Sequence, residues 1–146
     1  MKKLKIFLTA LAIIAVSNGV LADAPPIVNP YGKLLEGDGV EVEMAQFATK
    51  NKDGLNDVLL KITGANAFNA GIDGKTLKYQ AVHGGTGIDY QFEGKTRMIV
   101  RQPYGDSWSV IQVFLDGKTI TLNEDKVQSK EVRPLHLLTA SQSTDK

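Results

Sequence analysis

Asp73-Gly74-Lys75-Thr76, Glu93-Gly94-Lys95-Thr96 and Asp116-Gly117-Lys118-Thr119 are three copies of one turn sequence, set 20 and 23 residues apart. Each follows an apolar residue by one or two positions and precedes an alternating apolar/polar run. An acidic residue and a glycine between two such runs is a strong short-range hairpin signal, because glycine adopts left-handed backbone angles at little steric cost. Three of these turns predict a mainly β fold: an antiparallel meander forming a small barrel or a two-layer sandwich.

The runs around the turns have a period of two. Leu77, Tyr79 and Ala81 share one face, as do Ile88, Tyr90 and Phe92; Met98 and Val100 oppose Arg97 and Arg101. Upstream, the turn Gly37-Asp38-Gly39 launches a half-buried strand with Val40, Val42 and Met44 on one side and Glu41 and Glu43 on the other. Residues 108–115 differ, since Ile111, Val113 and Leu115 take one face while Trp108, Val110 and Phe114 take the other. Apolar residues on both faces predict a central strand covered on both sides. Ile120 and Leu122 continue the pattern beyond the third turn.

Residues 54–63 fit two templates. Leu55, Val58, Leu59 and Ile62 form a helical stripe, with Asp53 as N-cap and Gly64 as stop, yet Val58, Leu60 and Ile62 also alternate as a strand. Punctuation at both ends favours a short helix. Asn123-Glu124-Asp125 is a candidate cap for a helical turn, and residues 132–138 are expected to close the sheet, with Pro134 confining them to an edge.

The start of the chain reads as an export signal. Met1-Lys2-Lys3-Leu4-Lys5 is basic, residues 6–16 are apolar, and Val20-Leu21-Ala22 offers small residues for cleavage after Ala22. The apolar run of 11 residues is about half the length a membrane-spanning helix needs, so no membrane insertion is expected after cleavage. Removing residues 1–22 from the 146 leaves 124, enough for one domain. Residues 23–39, rich in proline, read as an extended lead-in; residues 40–138 as a single β-rich domain; residues 139–146 as a disordered tail.

Loss of Lys2, Lys3 and Lys5 leaves 14 basic residues against 16 acidic, a net charge of −2, which argues against nucleic acid as a partner. With no cysteine, the exported chain stands on hydrophobic burial rather than disulfides. Its basic start and short apolar stretch fit a periplasmic protein.

Few residues carry a chemical signature. The three Gly-Lys-Thr triplets lack the preceding glycine of a phosphate loop: Asn69, Asp89 and Gln112 stand there instead. Asn51, Asp53 and Asp57, spaced around Gly54, are a weak calcium candidate. They are similar to calcium loops of some secreted β-rich repeat proteins, but Thr49 occupies the first ligand position and no closing Glu follows. Gly105-Asp106-Ser107 resembles the nucleophile block of GDSL-type esterases, and His83-Gly84-Gly85 resembles a lipase oxyanion loop. That resemblance implies a serine hydrolase using Ser107 and His83, although the helices of that fold are missing from the pattern. Glu41 and Glu43 read as a solvated strand face rather than a glycosidase pair, and His83 and His136 carry no metal-ligand spacing. No cofactor is expected.

Arg101, Tyr104, Asp106 and Trp108 surround a Pro-Tyr-Gly turn and are residue types favoured at binding hot spots. They make the first functional expectation a non-enzymatic periplasmic protein that binds another protein, such as an inhibitor of, or immunity protein against, a cell-envelope enzyme. A small-ligand carrier with an apolar cavity inside the β-scaffold is the alternative, and a weak serine hydrolase the third.

Overall fold

The computed structural model describes residues 25–102 and 109–144. Eight antiparallel strands close into a meander barrel: β1 (Lys33–Gly37), β2 (Val40–Lys50), β3 (Asn56–Thr63), β4 (Thr76–Gly84), β5 (Gly87–Phe92), β6 (Lys95–Arg101), β7 (Val110–Leu115) and β8 (Lys118–Glu124). Each strand pairs with the next, and β8 returns to β1 through Leu35↔Glu124 and Glu36↔Asn123. A short helix α1 (Ala65–Asn69) lies between β3 and β4, and α2 (Pro134–Thr144) follows β8.

Two of the three repeated turns are two-residue hairpins. Glu93 and Asp116 have φ of 52°, and Gly94 and Gly117 have φ of 82° and 74°. Positive φ at both central residues is the type I′ geometry whose twist matches that of the flanking strands. Asp38-Gly39 repeats it at 52° and 77°, making the β1–β2 hairpin. The Asp73-Gly74 copy differs, because it follows α1 instead of joining two strands directly. There Asp73 Oδ1 accepts from Gly64 N (2.9 Å) and Gly74 N donates to the Ile62 carbonyl (2.9 Å), tying both ends of the α1 excursion together.

The expected helix over residues 54–63 is corrected to strand β3. Val58, Leu60 and Ile62 point into the barrel, while Leu59, on the opposite face, is buried with Val28, Ala45, Phe47, Val132 and Leu137. A strand buried on both faces loses its alternation, and its apolar run then mimics a helical stripe. Residues 108–115 were expected to be that doubly covered strand. In β7, Val113 and Leu115 are buried, but Val110, Gln112 and Phe114 on the outer face are only half-buried.

The C-terminal segment is also corrected. Residues 132–138 do not close the sheet as an edge; Pro134 opens α2, where its missing N–H is no loss. The helix lies across β2, β3 and β4 and covers Leu59. Helix α2 runs into residues 139–144, which were expected to belong to a disordered tail, and β1 falls within the stretch expected to be an extended lead-in. Asp125 caps a helical turn as anticipated: its Oδ1 accepts from Val127 N (3.1 Å) and Gln128 N (2.9 Å) ahead of a 3-10 turn at Gln128–Glu131.

The two ends of the barrel are built differently. At one, α1 inserts Ala67, 0% exposed, into the interior. Asn69 Nδ2 donates to Asp116 Oδ2 (3.3 Å) and Lys118 Nζ to Asn66 Oδ1 (3.4 Å), fastening α1 to the β7–β8 hairpin. The other end carries the Gly85-Thr86 turn and the chain at Gln102 and Ser109, and it retains an internal cavity.

Candidate binding site at the barrel mouth

Strand register stacks the inward side chains in layers. Lys33 pairs with Met44 and Val100 with Ile111 at the end opposite α1; one step inward along the strands stand Leu35, paired with Val42, and Tyr90, paired with Met98. Between these layers lies a cavity of about 160 Å³. Leu35 and Tyr90 line its deeper part, and Met44, Val100 and Ile111 form apolar walls. Tyr31, Lys33, Gln46 and Ser109 supply its polar atoms.

Tyr90 is only 3% exposed, and its phenol hydrogen-bonds to no described residue. Burial alone raises its pKa, because the phenolate would be poorly solvated there. Tyr79 is a contrast deeper in the barrel: burial raises its pKa as well, but the Arg97 guanidinium beside it opposes the shift by charge and hydrogen bonding. Gln46 is anchored by its carbonyl, since Oε1 accepts from Asn29 Nδ2 (3.2 Å), which leaves its Nε2 donors for the mouth. Lys33 makes no ion pair with a described residue.

The residues expected to carry function are distributed elsewhere. Tyr104, Asp106, Ser107 and Trp108 lie outside the described residues. Arg101, expected to face a partner, is bound within its own sheet: Nη2 meets Asp89 Oδ1 at 2.6 Å, and Nη1 donates to the Ile88 and Val100 carbonyls at 3.2 and 3.3 Å. Gly84 leaves room for this pair, since a Cβ there would run into the Asp89 carboxylate.

Asn51, Asp53 and Asp57 build a loop brace. Asn51 Oδ1 accepts from Asp53 N (2.8 Å) and Leu55 N (3.2 Å), and its Nδ2 donates to Asp57 Oδ1 (2.8 Å) and the Ala81 carbonyl (2.9 Å). Asp57 Oδ1 also accepts from Ala81 N (2.9 Å), so the β2–β3 loop is stitched to β4. The amide hydrogens of Asn51, rather than its oxygen, face the Asp57 carboxylate, an orientation that serves this brace. His83 Nε2 donates to the Asp53 carbonyl (3.2 Å), and His136 is exposed on α2. Glu43 faces Lys61 across the β2–β3 pair at 3.6 Å, on the outer surface of the barrel.

Lys33 and Gln46 were missed. Their signal lay in the Asp38-Gly39 turn, because a two-residue hairpin requires a strand before it as well as after. Extending the pattern back from Gly37 puts Leu35 and Lys33 on one face.

Comparison with family models, with curated proteins and with solved structures finds no match, so function must be argued from this geometry.

Proposed function

We propose that this chain is an exported, non-enzymatic binding protein whose barrel holds a small ligand in its mouth. Tyr90 carries the reading: a tyrosine 3% exposed, on the wall of a cavity, with its phenol bonded to no described residue. Among the described residues only Thr76 Oγ1 is both fully enclosed and unpartnered, so the Tyr90 hydroxyl keeps access to the cavity, where a ligand oxygen or nitrogen can bond it in place of water. The cavity's 160 Å³ is close to the volume of about 150 Å³ that accepts one benzene molecule in an engineered core. A single ring or a short branched chain fits this size, and a long lipid does not.

The leader-like residues 1–22 support export to the periplasm. The apolar interior and the outer row of Glu41, Glu43, Lys61 and Lys78 support a barrel surrounded by water, the reverse of the pattern of a membrane-spanning channel barrel. Binding of a partner protein is a second reading, and of the four residues expected to carry it Arg101 is committed to Asp89.

The test is an NMR titration of the protein with benzyl alcohol, which offers one ring and one hydroxyl. Saturable shifts are expected at the methyl groups of Leu35, Met44, Val100 and Ile111 and on the Tyr90 ring. Binding should weaken in Tyr90→Phe by about tenfold, the loss of one good hydrogen bond. Shifts centred on the open groove beside Arg133, Leu135 and His136, or no saturable shift, would overturn the proposal.

A further inference from the structure

We infer that the ligand of the mouth is a small aromatic carboxylate with a polar group at the far end of its ring; the inference rests on the mouth being a ligand site. The rim is rich in donors: Lys33 has no ion-pair partner among the described residues, and Gln46, fixed through its Oε1 by Asn29, is left with its Nε2 to offer. Tyr31 and Ser109 add hydroxyls, and none of the described residues lining the cavity has a carboxylate. The protein without its leader is net negative, so a rim whose described residues hold one cation and no anion is a local reversal of the overall charge. An anion at this rim meets a charge and hydrogen bonds together, the arrangement that gives the stronger bonds.

Depth completes the argument. Tyr90 lies one layer below Val100 and Ile111, as Leu35 lies one layer below Lys33. A ligand spanning the cavity thus meets donors at the rim, the apolar walls of Met44, Val100 and Ile111 in the middle, and a phenol at the floor. Its complement is polar, apolar, polar: a carboxylate outward, a ring between, and a hydroxyl or carbonyl inward. The cavity volume limits the middle part to one ring.

Calorimetric titrations with four probes test this: 4-hydroxybenzoate, benzoate, benzyl alcohol and benzylamine. The expected order is 4-hydroxybenzoate tightest, benzoate next, benzyl alcohol weaker than benzoate by about tenfold, and benzylamine weakest, since a charge-assisted hydrogen bond is about twice as strong as a neutral one. Lys33→Gln should lower benzoate affinity about tenfold and leave benzyl alcohol within about twofold, because only the ionised ligand loses its counter-charge. Tyr90→Phe should erase the advantage of 4-hydroxybenzoate over benzoate. If benzyl alcohol binds at the mouth while benzoate binds no tighter, or if Lys33→Gln leaves the carboxylates unaffected, the carboxylate inference fails and the ligand-site proposal stands. Binding of benzylamine as tight as that of benzoate would also overturn it. If no probe binds, both fall together.

Discussion

Leu59→Ala and Phe114→Ala decide which strand is covered on both faces. Leu59 is 0% exposed although it points away from the barrel interior, because β3 backs it on one side and α2 covers it on the other. Phe114 is the larger side chain but lies half-buried on the outer face of β7. Truncating Leu59 removes apolar contact and leaves a hole that neither sheet nor helix can easily close, so a loss of about 3–4 kcal/mol is expected. Phe114→Ala removes partly solvated surface and leaves an open groove in place of a cavity, so about 1–1.5 kcal/mol is expected. With a urea dependence of about 1.5 kcal/mol/M, the unfolding midpoint should fall by about 2 M for Leu59→Ala and by less than about 1 M for Phe114→Ala. A double-mutant cycle of Leu59→Ala with Leu137→Ala should show coupling of about 1 kcal/mol, since both side chains belong to the cluster under α2. Equal midpoint shifts for the two single variants, or strict additivity in the cycle, would refute the doubly covered β3.

Two further predictions concern backbone packing and charge. Gly87→Ala should lower stability by about 3 kcal/mol or more because its methyl would meet the Val100 carbonyl oxygen, a backbone atom of the neighbouring strand that cannot step aside; urea unfolding showing a loss under about 1 kcal/mol would contradict that close approach. Glu36 has its pKa raised above the ordinary 4.5, first by a hydrogen bond with Asp125, with desolvation and the charges of Asp125 and Glu41 adding to it. A raised folded-state value means that its contribution to stability is fully present below the unfolded value and is lost as pH rises through the folded one. Glu36→Gln should therefore unfold at a higher temperature than the wild type at pH 7, with the gap closing by pH 3; a gap unchanged at pH 3 would count against the carboxylate repulsion.

Most inward positions were legible because strand alternation and turn chemistry are local properties. Val40, Val42, Tyr79, Ala81, Tyr90, Met98, Val113, Leu115, Ile120 and Leu122 are all buried in the barrel core as their periodicity required. What stayed hidden depends on partners distant in sequence. Leu59 reads as part of a helical stripe until α2, some 75 residues later, is seen to cover it. Pro134 reads as an edge-strand residue because nothing local distinguishes that role from the first position of a helix. The site was less legible than the fold: alternation put Tyr90 on one face with Ile88 and Phe92, but its want of a partner among the described residues is a fact about the space around it. Lys33 stood in a proline-rich stretch whose strand is revealed only by the hairpin after it.

The position of the cavity follows from which inward side chains are able to fill the barrel. Eight strands enclose an interior just wide enough for side chains to occupy. At the α1 end they do so: Ala67 enters from the helix and Tyr79 stands beside Arg97. At the mouth, the inward positions of β1 and β2 hold Lys33 and Gln46, whose polar ends favour water or a hydrogen-bond partner over the barrel axis. The cavity coincides with this layer, where polar residues stand at positions whose inward register calls for apolar ones. Such a departure from core-filling residues is expected where a site needs it. The mouth thus combines an unfilled layer with a phenol and a cation that have no partner among the described residues, and one ligand of the proposed chemistry would satisfy all three.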